Sequence, residues 1–257
     1  MTKIHNTAIV NNKAKIDSNV KIGPYSMIGP EVKIGKDVKI HSNVVIKGHA
    51  TIGSGCRIFH SAVIGTEPQD LKYKGEKTEV IVGDNTTIRE FATVNLSTSV
   101  DNPTTVGNNC LLMTYVHIAH DCNLGDNVIL ANSVNLAGHV KIENNAIVGG
   151  LTPVHQFVRI GCYSFVGGLS RVSKDIAPYT RGASVPYKTS GLNSIGLRRN
   201  GFPKDVRNAL KDVYKIFYTS NLNTFQAINK IKNEVKIIDE VDHFIDFVES
   251  SQRGVAK

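Results

Sequence analysis

The sequence predicts a mostly β protein: a parallel β-helix of hexapeptide repeats, then a small C-terminal α-helical domain. Three observations predict it. Large aliphatic residues recur at every sixth position through most of the first 178 residues. Small residues recur four positions after them. Beyond about residue 179 the apolar spacing changes to that of amphipathic helices.

The repeat begins at Ile4 and continues through Val10, Ile16, Ile22, Ile28, Ile34, Ile40, Ile46, Ile52, Ile58 and Ile64. Four residues after most of these stands a small side chain: Ala8, Ala14, Ser26, Ala50, Cys56 and Ala62 among them. A sustained period of six fits neither a helix, near 3.6, nor an isolated strand, near 2. It fits a coil with three flat sides. The large aliphatic points to the axis, and the small residue fills a cramped second inward position. One hexad cannot bury its own apolar residue, so stacked coils stabilise each other. Glycine after the aliphatic, as at Gly23, Gly29, Gly35, Gly53 and Gly65, is expected to serve unusual corner angles.

The frame then breaks. It would place apolar residues at 70 and 76 and finds Asp70 and Glu76, so residues 66–79 are expected to leave the solenoid as a polar loop. The register resumes at Val82 and runs through Ile88 and Val94 to Ile160, Val166 and Val172. A second interruption lies around Leu96–Thr105, where Val100 fits the frame by accident. The hexads end near Ile176-Ala177-Pro178, after nine or ten coils. The domains are therefore expected at 1–178 and 179–257. In the second, Val206, Leu210, Val213, Tyr214 and Phe217, then Ile228, Ile231 and Val235, then Val241, Phe244, Ile245 and Val248 recur at helical spacing.

Composition narrows the function classes. No apolar run approaches the ~20 residues that cross a membrane, and the N-terminus lacks the apolar stretch of a signal peptide, so a cytoplasmic location is expected. The net charge is +8. No nucleic-acid-binding motif accompanies it, so anionic small molecules or an acidic protein partner are the expected counterparts. None of the four cysteines forms a CxxC pair. Cys56, Cys110 and Cys122 occupy the small inward slot and read as core residues; Cys162 falls outward and reads as an incidental thiol.

One stretch carries chemistry: "YVHIAHDC", Tyr115–Cys122. Three hexads make a coil, so residues eighteen apart stack. Above His120 come Gly138 and then Gln156; above Asp121 comes His139; His155 lies beside Gln156. A lone outward histidine is commonly a solvated one, but polar groups on one edge of consecutive coils, with a glycine among them, form a column a ligand can approach. Zinc is one use of such histidines. However, His117 and His120 fall at different points of the hexad cycle, and the histidines five apart of the gamma-class carbonic anhydrases are missing. General base catalysis fits better: a histidine near its ordinary pKa of ~6.5 accepts a proton at neutral pH. Asp121 or a carbonyl would hold its tautomer, and the Gly138 N–H would receive an oxyanion. Such a base is typically worth ~10²–10⁴ in rate. One oxyanion donor is worth ~10²–10³. Together they suit acyl transfer to a hydroxyl.

The hexads, with "QDLKYKGE" (69–76), "HIAHDC" (117–122), "LAGHV" (136–140), "VHQF" (154–157) and "GLNSIGLRRNGF" (191–202), resemble the bacterial UDP-N-acetylglucosamine O-acyltransferases over essentially the whole chain. The resemblance implies a left-handed β-helix, although general crossover rules would favour the right hand. It implies a homotrimer with active sites between subunits, acting in the first committed step of lipid A synthesis. His120 would deprotonate the 3-hydroxyl of UDP-N-acetylglucosamine as that oxygen attacks the thioester of a 3-hydroxyacyl chain on acyl carrier protein. Gly138 would supply the oxyanion N–H. Asp70 and Lys72 match loop residues that reach the sugar nucleotide. His117, His139, His155 and Gln156 match lining residues. Asn193 and Arg199 match contacts to the nucleotide or the pantetheine arm, and Gly168 matches the position that limits acyl length. No metal and no separate cofactor are implied for the reaction. The chain departs from the family at Asn200, where many members carry a second arginine. Arg159, Arg198 and Arg199 are expected to meet the acidic carrier.

Two other readings are weighed. A related hexapeptide N-acyltransferase acting on an amine acceptor usually carries an added N-terminal uridine-binding domain, whereas here the hexads begin at Ile4. A non-enzymatic β-helix would show a monotonous Thr-rich face and no histidine column.

Overall fold

A computed structural model describes all 257 residues. Nine coils stack into a triangular left-handed prism whose sides are three parallel sheets, one of nine strands, extended to eleven by a later hairpin, and two of eight. The first side runs from Lys3–Ile4 to Phe165–Val166. The second runs from Ile9–Val10 to Pro153–Val154, the third from Lys15–Ile16 to Arg159–Ile160. Residues eighteen apart pair directly, as Lys21 with Lys39 and Asn135 with Pro153.

The sequence dictates this by excluding alternatives. Most strands are two residues long, one pointing out and one in. The inward aliphatics from the three sides meet along the axis: Ile46, Ile58, Ile64, Ile88, Leu112, Ile118, Leu130 and Leu136 are wholly buried. Each contributes ~1.5–3 kcal/mol by burial. Cys56, Cys110 and Cys122 are buried in the small slot. Burial pushes the Cys56 thiol up to about 11 and the Cys122 thiol up to about 12. Val100 is two-thirds exposed, so its fit to the frame is indeed accidental.

The glycines correct the expectation placed on them. At the corners, the left-handed conformation is held by other residues, including Asn19, Asp37, Asn43, Asp121 and His139. Gly23 and Gly53 are not among them. A Cβ on Gly23 would lie 2.7 Å from the carbonyl carbon of His41, and one on Gly53 2.6 Å from Gly83. Gly23, Gly29, Gly35 and Gly53 permit neighbouring coils to approach and supply no unusual angle; Gly65 alone of the five, at φ 78°, supplies one as expected.

Both interruptions leave the prism at the same edge, between the second and third sides. Val63 pairs with Thr93, thirty residues on instead of eighteen, so the first insertion adds twelve. Thr93 pairs with His117, twenty-four on, so the second adds six. Each is a whole number of hexads, and the frame resumes in phase. The two are tied together: the Asn95 side chain donates to Thr66 Oγ1 (2.9 Å) and to the Glu67 carbonyl (3.2 Å).

After the ninth coil, an antiparallel hairpin pairs Thr180–Ala183 with Lys188–Leu192. Four helices follow: α1 (Ser194–Arg199), α2 (Lys204–Tyr214), which continues as a π-helical turn over Lys215–Thr219, α3 (Thr224–Glu234) and α4 (Asp239–Glu249). The hairpin and α1 had no periodic signal. Val213, Phe217, Ile228, Ile231, Val241, Phe244, Ile245 and Val248 form a second core with Ala177. Arg159 holds α4 to the prism: it donates to Ser250 Oγ (3.0 Å) and lies over the Phe247 ring at 4.1 Å. Packing therefore occupies much of a side chain expected to serve the carrier.

Candidate active site

His120 stands in the turn between the second and third sides of the sixth coil, after the strand His117–Ile118. Directly above it is Gly138. A Cβ at 138 would fall 2.5 Å from His120 Cε1 and 2.7 Å from Nε2, so the imidazole rests on the glycine backbone. The Gly138 N–H makes no hydrogen bond within the chain. Imidazole and free amide share one edge, as eighteen-residue stacking requires.

Asp121 orients the ring. Its Oδ2 lies 2.6 Å from His120 Nδ1. An ionised carboxylate only accepts, so Nδ1 carries the hydrogen and Nε2 presents a lone pair. Asp121 occupies the left-handed region, φ 58°, which aspartate tolerates. Its carboxylate is 5 % exposed. Thr98 Oγ1 donates to it at 2.7 Å and the Thr98 N–H at 3.0 Å. Burial pushes the carboxyl up, but the Thr98 donors and His120 outweigh it, and Asp121 sits below the usual carboxylate range. Thr98 belongs to the second insertion. Sequence reasoning missed it, because a contact across twenty-three residues follows no period.

The first insertion folds over the same edge. Asp70 Oδ2 reaches 3.9 Å from His120 Nε2, on the side of the ring that bears the lone pair. The Lys72 N–H donates to Asp70 Oδ1 (2.8 Å) and fixes that carboxylate, while the Lys72 side chain is exposed. Leu71, between them, is wholly exposed.

The remaining expected residues divide by edge. His139 lies one coil above Asp121, its Nε2 3.6 Å from Asp121 Oδ2 and its ring stacked on Phe157 at 4.5 Å. His155 and Gln156 cap the column and are exposed; His155 Nδ1 donates to the Gln156 carbonyl at 3.1 Å. His117 lies on the second side, bound to Thr93 Oγ1 at 2.7 Å. Burial, and then His120, holds it below the ordinary histidine value, so it is neutral at pH 7. Gly168 is on a different edge, between first and second sides, against Gly150. Asn193 and Arg199 are on the third edge with α1. There Asn193 Nδ2 donates to the Tyr163 carbonyl (2.8 Å) and its Oδ1 caps α1 at the Gly196 N–H (3.2 Å). Arg199 is exposed at the last turn of α1. Asn200 donates from Nδ2 to the Gly196 carbonyl at 2.9 Å and ends that helix. One chain thus assembles Asp70, His117, His120, Asp121, Gly138, His139, His155 and Gln156, and holds Gly168, Asn193 and Arg199 apart from them.

Beside the column, on the third side, runs a groove of about 1260 Å³ lined by Asp121, His139, Asn123, Lys141, Arg159 and Tyr163, among others. His120, Asp121 and His139 offer atoms close enough for a metal. Thr98 and His120 already take the Asp121 oxygens, however, and this arrangement is that of an oriented base.

The hexapeptide model of bacterial transferases matches residues 31–66 and 103–138. A model described as UDP-N-acetylglucosamine O-acyltransferase, domain 2, matches residues 175–256. An acyl-[acyl-carrier-protein]–UDP-N-acetylglucosamine O-acyltransferase of Chlamydia muridarum is 54 % identical over 258 aligned positions, all of this chain and 92 % of that one. One of Thermodesulfovibrio yellowstonii is 46 % identical over 212, covering 82 % of each. Among solved structures, the UDP-N-acetylglucosamine acyltransferase of Bacteroides fragilis superposes with a TM-score of 0.96 at 42 % identity, over 99 % of this chain and 100 % of that one. That of Acinetobacter baumannii gives 0.95 at 44 % identity, over 99 % of each.

Proposed function

The chain belongs to the UDP-N-acetylglucosamine O-acyltransferase family, and we propose that its second–third edge carries out the family reaction with His120 as the base. The acyl chain passes from the thioester of acyl carrier protein to the 3-hydroxyl of UDP-N-acetylglucosamine, the reaction that opens lipid A synthesis. The observation that carries the reading is the juxtaposition of His120 with the unpaired Gly138 N–H, one coil apart.

The steps follow from the groups present. His120 Nε2 takes the proton of the 3-hydroxyl, and the oxygen attacks the thioester carbon. Negative charge gathers on the former carbonyl oxygen, and the Gly138 N–H receives it. The imidazolium gains from ionised Asp121 at Nδ1 and from Asp70 beyond Nε2. The intermediate collapses, the carbon–sulfur bond breaks, and His120 returns its proton to the departing thiolate. The acyl donor travels on the carrier's own pantetheine, so the reading assigns this site no metal and no further cofactor.

The edges bear on assembly. Gly168, Asn193 and Arg199 cannot reach His120 within one prism, because each lies on another edge. Three prisms side by side in a homotrimer bring an edge of one subunit against the His120 edge of the next. Exposed Leu71, Phe157 and Leu169 fit such coverage.

The test is direct. The protein is incubated with UDP-N-acetylglucosamine, its 3-amino analogue and a ladder of 3-hydroxyacyl carriers, and products are identified by mass. O-acylation of the first is expected. His120→Ala should lose at least ~10² in turnover while keeping its fold. A near wild-type rate in that variant would overturn the assignment.

A further inference from the structure

A second cluster of chemistry-bearing side chains lies at the far end of the groove, outside the machinery assigned above. Glu143 follows the strand Lys141–Ile142, Cys162 follows Arg159–Ile160 one coil later, and His243 projects from α4. The carboxylate oxygen, Sγ and imidazole nitrogen lie within 4.8 Å of one another. His243 Nε2 is 2.8 Å from Glu143 Oε2. The Cys162 N–H donates to that same oxygen at 2.8 Å and fixes its direction. The imidazole and carboxylate side chains are 39 % and 30 % exposed, so an ion has access.

The thiol fits neither structural habit of the chain. Its other three cysteines are buried in the core. The column to which Cys162 belongs is polar on the coils below. There Asn108 Oδ1 accepts from the Asp84 N–H, Asp126 Oδ1 from the Asn108 N–H, and Asn144 Oδ1 from the Asp126 N–H. The next residue of that ladder is Cys162, which has no oxygen to continue it. An ion pair between α4 and the prism would need only Glu143 and His243.

We propose that Glu143, Cys162 and His243 form a binding site for a divalent cation of the zinc class, fastening the helical domain to the prism. Thiolate, imidazole and carboxylate are the donor types that zinc takes, and three protein ligands leave a fourth position for water. In the metal-free chain, the neighbouring Cys162 thiol and then the Glu143 carboxylate push the His243 imidazole up to about 10. Tyr179 faces the same ring edge-on at 6.2 Å. Ligation needs the thiolate and the neutral imidazole, so binding is coupled to proton release and tightens as pH rises.

Cobalt(II) and zinc(II), each added alone to the full-length protein, test this. With cobalt(II), a thiolate-to-cobalt charge-transfer band is expected at one ion per chain. It should vanish in Cys162→Ser and persist in His120→Ala, which disrupts the other histidine cluster. Independently of any variant, Cys162 is the one cysteine of the folded chain that is not buried, so alkylation reports on it. Zinc(II) at 100 times its Kd should slow that alkylation by ~100-fold, since only the unoccupied fraction reacts. Loss of the band in His120→Ala but not Cys162→Ser would overturn the proposal. So would an alkylation rate indifferent to zinc, which would leave the cluster a plain ion pair.

Discussion

Gly138→Ala perturbs the proposed site by a single methyl group. The backbone at 138 is outside the left-handed region, so alanine carries no conformational penalty there. The new Cβ would stand 2.5 Å from His120 Cε1, 2.7 Å from Nε2 and 3.1 Å from Nδ1. Ordinary contact begins near ~3.4 Å, so the ring must retreat by roughly 0.9 Å. It cannot do so and keep its 2.6 Å bond to Asp121. A misplacement of ~1 Å costs ~10² in rate, and loss of the base would bring the figure to ~10²–10⁴. The position is at a corner, outside the core, so the melting temperature should change little. The assay is kcat/KM for carrier-to-sugar acyl transfer, measured beside thermal unfolding. The double variant sharpens it: once His120→Ala has removed the ring, the extra methyl group meets nothing, and Gly138→Ala should add little further loss. A Gly138→Ala enzyme with near wild-type kcat/KM would show that the imidazole does not work from this position. Strict additivity in the double variant would show that the glycine acts apart from the ring.

Four further outcomes are expected. Thr98→Val removes the 2.7 Å donor to Asp121; a hydrogen bond to a buried charge is worth ~1.5–3 kcal/mol, so the carboxyl should rise by about one to two units. The acid limb of the pH–kcat/KM profile should move toward neutrality, Thr98→Ser should restore it, and an unmoved limb in Thr98→Val would refute the cradle. Mixing His120→Ala with Arg199→Ala chains, each inactive alone, should recover ~25 % of wild-type activity if every site takes one edge from each of two subunits, and none if the site lies within one chain. His243 is raised from 6.5 to about 10 on folding, so its stabilisation is complete below pH 6.5 and lost as pH rises toward 10. In chelator, the melting temperature should fall across that window in the wild type and stay flatter in Glu143→Gln. Gly168→Met places a side chain against the Gly150 carbonyl, 3.1 Å from the first added carbon; it should shift the product profile toward shorter acyl chains, and an unchanged profile would remove Gly168 from that role.

The prism was legible because its period is imposed by packing. An inward residue every sixth position is a constraint on every coil, and it leaves a mark on the sequence that no surface function erases. The same rule carried the column His120, Gly138, Gln156, since vertical neighbours follow from coil length alone. It could not carry Asp70 or Thr98. Each reaches the site through an insertion, and an insertion is where the period stops constraining anything; Asp70 was available only through resemblance, Thr98 not at all. The glycines after the aliphatics, Gly65 apart, were misread because the sequence shows that a side chain is missing but not which atom would have met it. Gly23 and Gly53 yield to the backbone of the next coil, whereas left-handed corners go to residues such as Asn19 and Asp121. Helix α1, six residues long, is too short to show a period, and Asn193, which caps it, was available only through the resemblance.

The insertions show how the fold admits a site at all. Every side of a coil must present an inward aliphatic, so a departure is tolerated only if the chain returns in phase; the two here add twelve and six residues, and both leave from one edge. That edge then accumulates groups that packing does not require. The fourth coil sends Asp70, the fifth Thr98, the sixth His120 and Asp121, the seventh the free N–H of Gly138, the eighth Gln156. Five coils about 4.8 Å apart span ~19 Å. A lattice of short strands fixes the vertical spacing, and the loops, freed from it, supply the carboxylate and the hydroxyl that a strict hexad could not place. The proposed chemistry depends on this division: coils set the distance between the proposed base and oxyanion donor, and insertions set the charge around them.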